Sequence, residues 1–362
     1  MNIAIVLGTR PELIKMSPVI RALEKAHAPF FILHTGQHYS YAMDNVFFEQ
    51  LGLPPARYNL EIGSGRHGEQ TGKMLIGVEK VLQAEQPDIV LVEGDTNSVL
   101  AGALAASKLH IKVGHVEAGL RSYDRQMPEE INRILTDHCS DYLFAPSEMA
   151  KATLLGEGIP EARIFVTGNT IVDAIFQHLG IARNNADTDL KALNVQPRNY
   201  FLVTLHRQEN VDDRARFASI LEGLDRIAAE FDIPVVYPAH PRSRKMMQQF
   251  ALNPANLRLI EPLSFLAFLQ LEGNARLILT DSGGVQQEAC ILGVPCVTLR
   301  DNTEWVETLE VGANLLAGAQ PDRIVTATAL MLARRNDWTN PFGDGTAGET
   351  IVKTVLEAAA GG

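Results

Sequence analysis

The chain has 362 residues, 46% of them hydrophobic and 21% charged, which is the composition of an ordered protein long enough for two domains. Its formal net charge of −11 argues against nucleic acid or an anionic membrane surface as a partner, and an anionic substrate would need a local island of Arg, Lys and His. Cys139, Cys290 and Cys296 show no CxxC pairing and point to core thiols in a reducing compartment. The apolar run from Ile3 to Leu7 is too short for a signal peptide or a membrane span, so a cytoplasmic location is expected.

Strand 2–7 leads through Gly8-Thr9-Arg10-Pro11-Glu12 into helix 11–26. A glycine turn between strand and helix presents backbone N–H groups to an anion, with Arg10 in the turn and Lys15 about one helical turn on. The GxGxxG spacing of a dinucleotide fingerprint is missing. Strand 30–34 is followed by a polar, aromatic loop from Thr35 to Tyr41, in which His38 is a candidate ligand contact or simply a solvated histidine. The glycine-rich stretch 61–72 reads as a flexible connection ahead of helix 70–86.

The stretch from Glu93 to Arg133 carries most of the acidic chemistry. Strand 89–92 ends at Glu93-Gly94-Asp95, helix 97–109 follows, and strand 112–116 ends at Glu117. Pro128 suits the first turn of helix 128–139, which places Glu129 near its amino terminus and Arg133 four residues on, on the same face. Ligands of open α/β sheets bind beyond the carboxyl ends of the strands, so Asp95, Glu117 and Glu129 are expected to converge there. Taken singly, each carboxylate could equally be a cap or a helix-dipole charge. His115-Val116-Glu117 has the H-x-E pattern of zinc deaminases but lacks the downstream P-C-x-x-C, and no metal is expected.

Strand 142–145, helix 147–156, strand 163–166 and helix 169–182 complete a β-α array, hence a parallel sheet covered by helices. The polar segment 183–198 reads as a linker. A second array begins with strand 200–205 and runs into His206-Arg207-Gln208-Glu209-Asn210. Helix 213–231, strand 234–237 and the Pro238-Ala239-His240-Pro241-Arg242 turn follow, then strand 257–260, Pro262 and Leu263, and helix 264–272. Strand 276–280 precedes Asp281-Ser282-Gly283-Gly284, whose small residues let the backbone close on a phosphate, and Glu288 one turn into helix 284–293 could accept from ribose hydroxyls. Strand 295–298 ends in the polar cluster 300–305, and an amphipathic helix, 348–359, closes the chain. The expected domains are 1–182, carrying the carboxylates, and 183–347, binding the nucleotide, with 348–362 packing back on the first.

Eight segments in order, GTRPE with Lys15, GDTNS, HVEAGLRS, PEEINR, LHRQEN, PAHPR, TDSGGVQQEA and RDNTEW, resemble the non-hydrolysing UDP-N-acetylglucosamine 2-epimerases. The resemblance covers nearly the whole chain. It implies the glycosyltransferase-B fold, two Rossmann-like domains facing a deep cleft, a homodimer, and no nicotinamide or metal cofactor. It implies that UDP-GlcNAc and UDP-ManNAc interconvert by anti elimination of UDP and re-addition through 2-acetamidoglucal. The catalytic group falls on Asp95, Glu117, Glu129 and His206. The substrate-binding positions fall on Arg10, Lys15, Arg133, Glu209, His240, Pro262, Leu263, Ser282, Gly283, Gly284 and Glu288. The segment between HVEAGL and PEE is short, and the loop from Thr35 to Asp44 departs from the glutamine-rich loop of allosterically regulated bacterial members, so the resemblance does not extend to allosteric activation. The competing readings are a 2-epimerase of another UDP-2-acetamido sugar, a glycosyltransferase of the same fold, a hydrolysing epimerase, and a non-catalytic UDP-sugar binder.

Overall fold

Strand β1 (Ile3–Leu7) is apolar throughout and every residue in it is fully buried, as expected of a central parallel strand covered on both faces. The computed structural model describes residues 1–37, 48–49, 51–182 and 193–360. His38 and the loop to Asp44, and residues 183–192 of the linker, lie outside them. The chain divides into two compact units, Met1–Phe176 with Phe342–Gly362, and Gln177–Pro341.

In the first unit β1 is joined by β2 (Phe30–His34), β3 (Tyr58–Asn59), β4 (Ile89–Glu93), β5 (Lys112–Val116), β6 (Tyr142–Ala145) and β7 (Ile164–Val166). Among the described residues these form one parallel sheet in the order β3-β2-β1-β4-β5-β6-β7. The second unit repeats the plan with β8 (Phe201–Thr204), β9 (Val235–Pro238), β10 (Leu257–Ile260), β11 (Leu277–Thr280), β12 (Cys296–Thr298) and β13 (Asn314–Leu316), in the order β10-β9-β8-β11-β12-β13. Each sheet has a point where the strand order reverses, at β1/β4 and at β8/β11, and there the carboxyl ends of the strands open a ligand crevice.

Helices cover the faces. Phe217, Leu224 and Ile227 of helix Arg214–Phe231 join Phe201, Val203, Val235 and Leu279 in the core of the second unit. Helix Ala347–Ala360 packs on helix Arg10–Lys25 in the first unit, with Asp173 accepting from Ala347 N at 3.2 Å and Gly348 N at 2.9 Å. Helix His67–Glu85 starts three residues before its expected position and absorbs Gly68 and Gly72, because Met74, Val78 and Leu82 bury one continuous stripe. The short strands β3 and β13 have no clear alternation, and only their pairing with β2 and β12 defines them. Among the described residues no helix is long and apolar enough to cross a membrane.

His34, at the end of β2, is 2% exposed, and burial pushes its imidazole down to about 4. The unfolded chain therefore binds a proton that the folded chain refuses between about pH 6.5 and pH 4, so this residue removes stability as pH falls through that window, by at most about 3 kcal/mol. Urea midpoints at pH 7 and pH 5 should fall less steeply for His34→Gln than for the wild type. Equal slopes would show that His34 does not contribute.

Candidate active site

The turn after β1 and the turn after β4 are tied together at the switch point of the first sheet. Gly8 is required there, since a Cβ would sit 2.0 Å from Thr35 Oγ1 and 2.1 Å from Ser98 Oγ. Glu12, at the third position of its helix, accepts from Gly8 N at 2.5 Å and Thr9 N at 3.0 Å, completing a capping box. Its other oxygen accepts from the Thr96 hydroxyl, next to Asp95. Burial pushes Glu12 up to about 7, against those three donors. Arg10 opens the same helix and is half-buried.

Lys15 projects from that helix into a nest of acids. Its Nζ lies 2.7 and 2.8 Å from the two oxygens of Glu117 and 3.2 Å from Glu93 Oε1. Burial opposes its charge, but Glu117, Glu93 and Asp95 outweigh that and hold the ammonium above its ordinary range. Glu117 also accepts from Asn169 Nδ2 at 2.8 Å. Its backbone sits at φ 67°, a left-handed conformation that glutamate rarely adopts and that aims its side chain from the end of β5 at Lys15.

Asp95 accepts from Arg133 Nη2 at 2.5 Å, and its backbone carbonyl accepts from Asn132 Nδ2 at 2.8 Å. Asp95 and Glu117 both act on the Arg133 charge, and with Glu130 they hold it above its ordinary range against burial. Arg133 donates to Glu130 at 3.2 Å, not to Glu129. Glu130 is buried, accepting from Ser122 N, Ser122 Oγ and Tyr123 N at 2.8 to 3.0 Å. Glu129 is exposed and makes no ion pair among the described residues. Asp95, Glu117, Lys15 and Arg133 thus form one cluster, and Glu129 stands outside its contacts. His115 is a structural residue: Nδ1 lies 2.7 Å from Asp137 Oδ1 and Nε2 2.8 Å from the Gly94 carbonyl oxygen, deep in the sheet.

The second unit has a matching arrangement at β8/β11. Asp281 is fully buried and accepts from His206 N, Arg207 N and Asn210 Nδ2 at 3.0 to 3.1 Å, with His206 Nδ1 at 3.3 Å. It thereby fixes the His206 turn to the start of helix Gly283–Ile291. The rings of His206 and His240 are 6.0 Å apart. Burial, His206 and Arg242 lower the affinity of His240 for a proton, and its Nδ1 accepts from Arg242 N at 3.2 Å as a helix cap. Ser282 occupies the N-cap position of helix Gly283–Ile291 without a side-chain capping bond, and a Cβ on Gly283 would meet Glu304 Oε1 at 2.1 Å. Gly284 is exposed at that amino terminus. Glu288 is half-buried one turn further on. Glu209 lies 3.4 Å from Arg300 Nε. Pro262 is exposed and Leu263 packs beside the helix core ahead of Phe265–Asn274.

Residues that the sequence patterns do not single out are Glu12, Glu93, Glu130, Asn169 and Asp281. Asp281 had a signal, a carboxylate directly after an apolar strand and before a small-residue turn. Glu93 and Asn169 reach the site only through partners distant in sequence, whereas Glu12 completes a Thr9-x-x-Glu12 capping box and Glu130 lies three residues before Arg133.

Two parallel Rossmann-like units, each gathering charged residues at its switch point, define the glycosyltransferase-B-like α/β class of nucleotide-sugar enzymes. The chain belongs to the UDP-N-acetylglucosamine 2-epimerase family, whose model matches residues 21–356. It is similar to the UDP-N-acetylglucosamine 2-epimerase of Methanocaldococcus jannaschii, at 58% identity over 98% of each chain. A crystal structure of the enzyme from that organism in complex with UDP-GlcNAc and UDP superposes with a TM-score of 0.88 at 56% identity, covering 99% of this chain and 100% of that one. The UDP-2,3-diacetamido-2,3-dideoxy-D-glucuronate 2-epimerase of Pseudomonas aeruginosa is 44% identical, over 98% of this chain and 99% of that one.

Proposed function

We propose that the protein reversibly epimerises UDP-N-acetylglucosamine at C2 to UDP-N-acetylmannosamine, by anti elimination of UDP through 2-acetamidoglucal and re-addition. The observation that carries this reading is the Asp95–Arg133 and Glu117–Lys15 cluster: two carboxylates with separate cationic partners at one switch point. The C2 proton is weakly acidic, so its removal needs a positioned and desolvated base. Epimerisation exchanges that proton on opposite faces of C2, which calls for more than one proton-handling group. Asp95 and Glu117 fill those roles, with Glu129 as a third candidate on the strength of the family resemblance. Departing UDP gains negative charge, which Arg10 and His206 offset, with Lys15 and Arg133 contributing field while they hold the two carboxylates.

In the second unit the Ser282-Gly283-Gly284 turn offers helix N–H groups to phosphate, and Glu288 accepts from the ribose hydroxyls. Glu209 and His240 flank the phosphate side, and the backbone at Pro262 and Leu263 faces the uracil. The family resemblance further supports a homodimer. Replacement of Glu288 by Ala should weaken UDP binding about tenfold, the equivalent of one charge-assisted hydrogen bond. Unchanged affinity by calorimetry would remove Glu288 from the nucleotide site.

The reaction is tested by NMR on a mixture of the protein and UDP-GlcNAc with no acceptor and no NAD. A second UDP-sugar is expected. Free N-acetylmannosamine with UDP would instead identify a hydrolysing epimerase, and no turnover would leave a binder or a glycosyltransferase. The Pseudomonas relative, named for a different UDP-2-acetamido sugar, favours one second reading, a 2-epimerase with another sugar preference. A panel of UDP-sugars separates the two.

A further inference from the structure

Glu93 ends β4 with its side chain 2% exposed, and the Lys15 ammonium, 3.2 Å from its Oε1, is its one cationic neighbour among the described residues. A buried carboxyl group whose one cation is shared with a second carboxylate demands an explanation. The groups facing it are Lys15 and Glu12 from helix Arg10–Lys25 and Glu117 from the turn after β5, with Asp95 and Arg133 joined to the cluster through Lys15 and Glu117. Five carboxyl groups, Glu12, Glu93, Asp95, Glu117 and Glu130, thus share two cations, Lys15 and Arg133. They cannot all be ionised at low cost in a buried site that must also admit an anionic substrate. Lys15 is committed to Glu117 at 2.7 and 2.8 Å and stands off Glu93 at 3.2 Å.

We propose that Glu93 is a positioning residue of the proton-transfer site: as a neutral carboxyl group it leaves the Lys15 ammonium to Glu117, and when it ionises it competes for that ammonium and disarms Glu117. The proposal rests on the reading of Glu117 as a proton-handling group. Burial raises the Glu93 carboxyl well above the usual carboxylate range; Lys15 opposes this, and Glu117 and Glu12 reinforce it. Loss of the Glu93 proton leaves two carboxylates for one ammonium, which loosens the Lys15 grip on Glu117 without removing any group that touches substrate.

The test is the pH profile of kcat/KM for the wild type, Glu93→Gln and Glu93→Met. On the neutral plateau the Gln variant should stay within about threefold of the wild type, since it keeps a neutral group of the same shape. Above the plateau the wild type should lose about tenfold per pH unit, as one ionisation requires. Both variants should hold their activity to higher pH. An unshifted alkaline limb in the variants overturns the proposal, as does a Gln variant inactive at every pH. Should neither variant fold, infrared titration of the wild type decides: a protonated-carboxyl band must disappear in step with activity, and its absence overturns the proposal. Normal activity in Glu117→Gln would sink the underlying reading instead, whatever Glu93 does.

Discussion

Glu117→Gln should lower kcat about 10²–10⁴-fold, the usual cost of losing a positioned acid or base. The amide keeps the side-chain shape and can still accept from Lys15, so the fold and UDP binding should be retained and the loss should fall on kcat. Asp95→Asn should behave in the same way, because it leaves Arg133 with Glu130 as its ionised partner. The isotopic signature is independent of the rates. In D₂O, product formed by the wild type should carry deuterium at C2, and so should substrate recovered at equilibrium. Carboxylate variants slowed in re-addition should release 2-acetamidoglucal and UDP as the intermediate escapes. Product without solvent deuterium would rule out proton transfer at C2, and a near-normal rate for both variants would make these carboxylates structural.

The two sheets were legible because their central strands are continuous apolar runs, as β1 and β4 illustrate, separated by helices with start signals such as Pro11 and Pro128. Asp95 and Glu117 were legible for the same reason: each directly follows such a run, and parallel sheets put those positions on one edge. Glu129 shows the limit. Its neighbour Glu130 has the same chemistry in the same motif and also lies within one helical turn of Arg133; the Ser122–Tyr123 backbone, which donates to Glu130, separates the two, and spacing along the helix does not. Glu93 and Lys15 illustrate a second limit. Their contact depends on a helix laid across two strands, and nothing within either segment records it. In β3 and β13 the strand is too short for any period, so pairing alone creates it.

The buried network beneath Glu117 should prove as costly to break as the site itself. Asp137 is fully buried and accepts from Gly119 N at 3.2 Å, while Arg121 Nη2 and His115 Nδ1 each lie 2.7 Å from its oxygens. Burial opposes its charge, but His115 and Arg121 outweigh this and hold the carboxyl below its ordinary range. Arg121 is itself only 1% exposed, with Glu157 as its other carboxylate. Asp137→Ala strands a buried guanidinium on one carboxylate and leaves His115 Nδ1 and Gly119 N unpaired. Removing one member of a buried ion pair costs about 3–5 kcal/mol, which for a unit of this size lowers Tm by roughly 10 °C. The consequence extends to catalysis, because His115 and Gly119 bracket Glu117 and its left-handed backbone is held from both sides. At a temperature where the variant is still folded, kcat should therefore fall while UDP affinity, which the proposed Ser282–Gly284 and Glu288 contacts would dominate, stays close to wild type. Thermal denaturation and calorimetry measure the two effects separately. A loss of stability below about 1 kcal/mol would show that the network is no stronger than a surface ion pair.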